Sequence, residues 1–552
     1  ELSVKKDWKS KEYKLDGSTI FLASGQHDLN YPVMNGRLQV DLYNYLRREY
    51  QLPKYKLDFV SGYFIGDYIH KIEHDTSSQT TTLYTKNITG LEVGNFINID
   101  EEGHSTNAYK DGAKFNVTHI DIEAGHITIS GLEQPDETKK IRWGIAKDDV
   151  TPQDIFRMTN EGPSERAVIA KYCIQDCNLV QNLLKKIDVL TGFTEMSKLC
   201  SVPMDFLVLR GQGIKLTSYI AKKCREKDTL MPVVNKPNYD DGYEGAIVLD
   251  PKCSLYMDDP VACVDYSSLY PSSMISENIS HDSKVLTREY DLKDNLLRET
   301  GERDESGEYI YDNLPDYKYV DIQYDTYVWK RKNDNEKAAF EKVKSGYKIC
   351  RFAQHVDGNK SVMPSILEEL LRARKATRKL IPQQTDDFMK NVLDKRQNSI
   401  KITANSLYGQ TGAKTSAFYE KDCAASTTSI GRKLLTYAKR VIENAYKNRV
   451  VETTRHGKII TDAEYIYGDT DSVFFKFNPR TLEGVPIVGM DALDITIELA
   501  QEAGRIATMF LKKPHDLEYE KTFHPFCLLS KKRYVGMMYE HDLTKCKRKS
   551  MG

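Results

Sequence analysis

The chain has no C-x-x-C pair, no long apolar run and almost no net charge, and the first two absences each speak against a class of protein. Its ten cysteines are scattered. Cys173 and Cys177 come nearest to pairing, but no second pair or histidine cluster accompanies them, which speaks against a zinc site and for reduced thiols. Without about 18 consecutive apolar residues, no segment reads as a membrane span. The opening "ELSVKKDWKS" has neither Met nor an apolar core, so no secretory signal is read there and the chain is expected to be a fragment. A net charge of -1 neither demands nor excludes a polyanionic partner, because a basic channel can be balanced by acid elsewhere. No internal repeat is evident.

What is present describes a globular protein: 552 residues, 40% apolar and 29% charged, too long for one core. Roughly three to four domains are expected at this length. The first 70 residues read as mixed structure, with a helix in "QVDLYNYLRREYQL" whose Val40, Leu42, Tyr45 and Leu46 form an apolar face. From about 75 to 145, short β-rich runs alternate with Gly, Asn and Asp turns, which predicts a small all-β insertion. Helical signal returns at "SERAVIAKYCIQDCNLVQNLLKKIDVL". The acidic stretch 288–316 reads as a surface excursion. A helical hairpin follows, "MPSILEELLRARKATRKLI", stopped by Pro382, and "TDDFMKNVLDKRQNSIKITANSLYG", with Gly409 placed after its end. Arg372, Arg374, Lys375, Arg378 and Lys379 crowd its first helix; a solvated face explains such a cluster as readily as a bound polyanion.

The chemistry is carried by acids. In "YGDTDSVFF", residues 467–475, β-formers flank Asp469 and Asp471, placing both at the turn of a hairpin. Unpaired, the two carboxylates raise one another's pKa; a divalent cation removes that cost, although a bare D-x-D also fits a solvated turn. The apolar "PVACV" reads as a buried strand delivering Asp265 to its end, where an aspartate is also a common helix cap. Lys401, Asn405 and Tyr408 are spaced i, i+4, i+7 and share one helix face. Arg374 and Arg378 share a face of the partner helix. Cations converging from two antiparallel helices suit a triphosphate. In this order the signals fit two-metal phosphoryl transfer, with cations about 3.5 to 4 Å apart bridged by carboxylates.

"DYSSLYPS", "KITANSLYG" and "YGDTDS" resemble motifs A, B and C of family B DNA polymerases, particularly the delta-like enzymes of eukaryotes and large double-stranded DNA viruses. "GRLQVDLYNYLRREYQLPKYKLDFVSGYFIGD", "YCIQD", "RGQGIKL", "YEGAIV", "LLRARK", "TTSIGR" and "SKKRYVG" follow the family's order, so the resemblance covers nearly the whole chain. It implies a multidomain α/β (α+β) fold with right-hand architecture. Residues 1–195 would be the C-terminal part of an RNase H-like 3′-5′ exonuclease domain, 196–360 and 413–552 the palm, and 361–412 the helical-hairpin fingers. It implies DNA-directed DNA synthesis with two Mg²⁺ ions, primer-template DNA and dNTPs as partners, a sliding clamp or processivity factor, and no membrane. The place of action would be intracellular, in a host nucleus or a viral replication compartment.

Residue by residue, the resemblance makes Asp265 and Asp471 the metal-bridging carboxylates, Asp469 a supporting acid and Glu520 a third palm carboxylate. Tyr270 matches the steric gate that excludes a 2′-hydroxyl, with Leu269 beside it, and Arg374, Lys401, Asn405 and Tyr408 match dNTP contacts. Lys532 and Tyr534 match residues holding the primer terminus, and Tyr243 and Gly245 a motif touching single-stranded template. Tyr172 and Asp176 match the third exonuclease motif; the first two would precede residue 1. "DIE" at Asp121–Glu123 mimics the first of these but stands in the β-rich insertion, so it is read as a coincidence of a β-turn region. Only 18 residues follow "KKRY", so the thumb is expected to be missing. The alternative function is a catalytically silent polymerase-like scaffold that binds primer-template DNA. An unrelated two-metal cyclase or transferase would have no reason to carry "KKRY" and "YEGA".

Overall fold

The structure, a computed structural model, describes residues 15–22, 25–34, 36–50, 52–103, 106–147, 150–234, 242–332 and 339–551. Two compact units divide at residue 211.

In the first unit, the apolar alternation of the β-rich region closes into a barrel. Its strands are Gly66–Asp75, Thr80–Thr85, Phe96–Glu102, Phe115–Asp121, His126–Ser130 and Lys140–Ala146, and Phe96–Glu102 completes the ring by pairing with both Phe115–Asp121 and Lys140–Ala146. Closure leaves the ring no free edge to recruit another chain. Leu83, Ile97, Ile99, Val117, Ile127, Ile129 and Trp143 fill the core, and the buried Trp143 indole donates to Thr85 Oγ1 at 3.0 Å. The β region begins at Gly66 rather than near 75, because the outward Lys71 and Glu73 hide the first strand's pattern. "DIE" lies at the end of a strand, where the Asp121 carboxylate accepts from the Ala124 amide at 2.9 Å, as expected for a turn. The helix expected near 40–52 spans Leu42–Glu49 with Leu42 and Leu46 buried, capped by Asp41. Helix α1, Pro163–Ile187, carries "YCIQD".

The second unit is built on an antiparallel sheet. Strand β1, Val261–Tyr266, is buried on both faces, which is why "PVACV" reads as a continuous apolar run. Ala262 and Val264 belong to one core cluster, with helix residues Leu435, Ala438, Leu499 and Ala503. Val261 and Cys263 belong to another, with Phe474, Phe523 and Phe526. Short helix α2, Leu269–Ser276, follows. A separate four-stranded sheet includes the long pair β2, Tyr317–Arg331, and β3, Phe340–His355. The acidic stretch 288–316 is only partly an excursion: its start lies in the paired strands Lys284–Asp291 and Leu296–Gly301, most of their charges half-buried and Arg288 paired with Glu299 at 2.8 Å.

The helical hairpin forms as α3, Val362–Leu380, and α4, Asp387–Thr411, with Asp386 capping α4. Gly409 does not stop α4. The helix continues to Thr411 and ends on Gly412, where a Cβ would collide with the Tyr243 hydroxyl. Helix α5, Lys421–Tyr446, precedes β4, Glu464–Asp469, and β5, Ser472–Lys476, and α6, Gly489–Met509, precedes β6, Leu517–Ser530, and β7, Arg533–Tyr539. The sheet order is β4-β5-β1-β6-β7, with Cys546–Met551 at its edge. Among the described residues no helix is long and apolar enough to cross a membrane.

At the start of α5, Asp422 is buried yet accepts from Tyr324 Oη and Lys348 Nζ, each at 2.8 Å, and pairs with Lys284 at 3.3 Å. Burial opposes its charge, but Lys284 and Lys348 outweigh it and bring the carboxyl down to about 2. Removing one partner of a buried ion network strands the others, so Asp422→Ala is expected to cost about 3 to 5 kcal/mol of stability in urea unfolding. Because the folded pKa lies below the unfolded one, this contribution is complete above about pH 4. It is lost as pH falls through about 2. An Asp422→Ala protein with the parent's acid-unfolding profile would contradict it.

Candidate active site

Asp265 is the penultimate residue of β1, and its neighbours in register are Ser472 on β5 and Glu518 on β6. The β4–β5 turn consists of Thr470, with a left-handed φ of 58°, and Asp471. The Tyr266 amide donates to the Asp471 carbonyl at 2.9 Å, tying that turn to the end of β1. Both aspartates line one cleft of about 470 Å³. Burial, Asp471 and Glu520 push the Asp265 carboxyl up to about 7. Asp471 is also raised, by burial and by Asp469 and Glu520, against a backbone amide and Lys532 that oppose the shift.

The other half of the D-x-D pair is committed elsewhere. Asp469 does not line the cleft; it accepts from Lys532 Nζ at 2.7 and 2.8 Å, from Tyr467 Oη at 3.2 Å and from Thr470 Oγ1 at 2.9 Å. Lys532 occupies the β6–β7 turn with a left-handed φ of 62°. Tyr534 is buried against Phe474, Phe523 and Phe526. Glu520 lines the cleft and pairs with Lys521 at 2.9 Å. Glu518, which sequence reasoning missed, lines it too, its carboxyl raised by burial and Asp516. The signal was there: Glu518 and Glu520 sit two apart on a strand and share a face.

The helical hairpin supplies the basic wall. Arg374 and Arg378 from α3 and Lys401 and Asn405 from α4 all line the cleft. Arg374 Nε donates to Gln397 Oε1 at 3.3 Å. Burial and the like charge of Arg378 lower the Arg374 pKa, an environment that an anion would relieve. Leu269 and Tyr270 of α2 form the floor, and Tyr270 stacks on Tyr408 with ring centroids 4.3 Å apart. Tyr408 hydrogen-bonds Tyr243 through its side chain. The carbonyl of Gly245 accepts from Arg432 at 2.9 Å, and that of Glu244 from Arg432 at 2.9 Å and Thr428 at 2.8 Å.

Tyr172 and Asp176 lie one turn apart on α1, in the first unit. Lys147 serves both, 2.9 Å from Asp176 and 4.5 Å from the Tyr172 ring centroid. Among the described residues one buried Asp176 oxygen has no hydrogen-bond partner.

Among the described residues no three His, Cys, Asp or Glu side chains already form a metal-holding group. The donor chemistry nevertheless fits a hard cation. Asp265 and Asp471 are oxygen donors whose burial and proximity disfavour two uncompensated charges, and Mg²⁺ is commonly held by one or two carboxylates with substrate phosphates completing its shell.

The model described as DNA polymerase family B matches residues 202–552, more than half of the chain. Over 515 residues the chain is 56% identical to the DNA polymerase of Phaeocystis pouchetii virus, covering 93% of this chain and 49% of that protein. It is 38% identical to the DNA polymerase of Pyramimonas orientalis virus, covering 99% and 43%. With the DNA polymerase delta catalytic subunit of Caenorhabditis elegans the identity is 31%, over 73% of this chain and 32% of that protein. The chain thus spans half the length or less of these relatives.

Proposed function

The chain belongs to DNA polymerase family B, and on that premise we propose that its cleft adds dNTPs to a primer 3′ end on a DNA template. The observation that carries this reading is one cleft lined both by two half-buried, charge-frustrated aspartates and by Arg374, Arg378 and Lys401. A 3′-hydroxyl at the acidic wall and a triphosphate against the basic wall would bring the attacking oxygen to the α-phosphate, and pyrophosphate would leave on the basic side. Two Mg²⁺ ions held by Asp265 and Asp471, with Glu520 at the margin, would supply activation of the attacking oxygen and neutralisation of phosphate charge.

In this reading α3 and α4 are the fingers, and Arg374, Lys401 and Asn405 orient the triphosphate. The sheet around β1 is the palm. Tyr270 bounds the sugar, and Tyr408 backs it. Asp469 acts indirectly, by holding Lys532 beside the turn that presents Asp471, with Lys532 and Tyr534 the primer side of the site. Tyr243 and Gly245 contact template. Tyr172 and Asp176 belong to a 3′-5′ exonuclease site, where Lys147 compensates the half-buried carboxylate. A sliding clamp and a place of action at replicating DNA go with the same reading.

The test is primer extension by the full-length protein with Mg²⁺ and dNTPs, beside its Arg374→Ala variant. Extension by the parent is expected, with the dNTP KM of the variant raised roughly 10- to 100-fold, the scale of one hydrogen bond to a charged group, and primer affinity unchanged. A parent that binds primer-template but never extends it would replace this reading with a silent scaffold. An Arg374 effect on primer affinity alone would remove that residue from the triphosphate.

A further inference from the structure

The four-stranded sheet carries a face that the reaction does not use. In the β2–β3 pair, Tyr327 lies opposite Lys344, Trp329 opposite Lys342 and Arg331 opposite Phe340. Directly opposed residues of an antiparallel pair share a face, as do residues two apart on one strand. All six therefore lie on one face, three aromatic rings interleaved with three cations. Trp329 is 49% exposed and Phe340 55%. Lys342 Nζ lies 4.6 Å from the Tyr327 ring centroid, and the Arg331 guanidinium 4.6 Å from that of Phe340. Lys344 pairs with Asp325 at 3.0 Å on the same face.

This face begins where the cleft's aromatic wall ends. Tyr270 stacks on Tyr408, and Tyr408 hydrogen-bonds Tyr243. Lys342 Nζ reaches the Tyr243 carbonyl at 3.5 Å, and Tyr327 Oη donates to Glu244 at 3.2 Å. The contacts run unbroken from the reaction cleft onto β2 and β3.

We infer that this face of the β2–β3 pair is a platform for the single-stranded template ahead of the nucleotide being copied, its rings stacking on bases and its cations meeting phosphates. A solvated strand end needs charge but not two large exposed rings on its cationic face, whereas single-stranded nucleic acid uses both, since every base has a π-face and every linkage a charge. The spacing suits it: side chains on one strand face recur about every 6.8 Å, near twice the 3.4 Å step of stacked nucleotides. The inference rests on the polymerase reading, which supplies the direction in which template leaves the cleft.

The experiment measures affinity by fluorescence anisotropy for primer-templates whose 5′ template overhang is roughly two or roughly twelve nucleotides, the longer within the span of known single-strand sites. The full-length protein is compared with its Trp329→Ala/Phe340→Ala variant. With the long overhang the variant is expected to bind about 10-fold more weakly or worse, the scale of lost base stacking, and with the short one equally well. Equal affinities of variant and parent for the long overhang, or an equal loss on both substrates, would overturn the platform while leaving the polymerase reading intact. A parent that binds neither substrate would overturn both. As a second measurement on the unmodified protein, photocrosslinks from iododeoxyuridine in the long overhang are expected at residues 327–331 or 340–344; crosslinks confined to other segments would also overturn it.

Discussion

Asp265→Ala and Asp471→Ala are each expected to lower primer extension by roughly 10³- to 10⁴-fold in the full-length protein, a loss of about 4 to 5 kcal/mol of transition-state stabilisation, with primer-template affinity retained. Asp265 lies at the end of β1 and Asp471 in the β4–β5 turn, and one amide-to-carbonyl bond of 2.9 Å ties the two segments together, so both carboxylates are presented to the same cleft. Asp469→Ala should behave differently. Its carboxylate neutralises Lys532 rather than facing the cleft, so the loss is expected to be smaller and to appear also in primer affinity. A pH series sharpens the assignment. The Asp265 carboxyl is pushed up to about 7, so below that pH it holds a proton that a cation must displace. The half-saturating Mg²⁺ concentration is therefore expected to rise as pH falls, approaching tenfold per unit, because binding releases that proton. Extension surviving in both alanine variants would remove the carboxylates from the chemistry. A Mg²⁺ requirement unchanged between pH 8 and 6 would remove Asp265 from the cation.

What the sequence disclosed was local. "PVACV" announced a strand buried on both faces, and the strand delivers Asp265 to its end. The i, i+4, i+7 spacing put Lys401, Asn405 and Tyr408 on one side of α4, and the first two reach the cleft wall. What stayed hidden depends on partners distant along the chain. Asp469 and Asp471 look equivalent two residues apart; Lys532, 63 residues beyond Asp469, separates them by claiming one. The alternating pattern of Phe96–Glu102 says strand but not that it pairs with Lys140–Ala146 to close a barrel. Gly409 looked like a helix stop because glycine commonly ends helices. The helix ends instead on Gly412, the next glycine, which lies so close to the Tyr243 hydroxyl that a Cβ would collide with it.

The remaining large effect concerns sugar choice. Tyr270→Ala is expected to lower the preference for dNTPs over ribonucleotides, as a ratio of kcat/KM, by at least roughly 10²-fold, because the ring would exclude the 2′-hydroxyl by collision and removing a steric wall removes the whole penalty. The wall is stiff. The Tyr270 ring is stacked on Tyr408 at 4.3 Å and would have to break that contact to yield. Such a pair contributes about 0.5 to 1.5 kcal/mol beyond the area it buries. In that reading the ring rather than the phenol would discriminate: burial and Asp471 push the phenol pKa up to about 12, so it is uncharged throughout the working range. Tyr270→Phe is accordingly expected to keep the parent's selectivity, and Tyr408→Ala to weaken it partially by letting the ring swing. A selectivity lost in Tyr270→Phe as fully as in Tyr270→Ala would mean that the hydroxyl binds the sugar rather than the ring blocking it. An unchanged ratio in Tyr270→Ala would place the gate on another side chain of the same cleft.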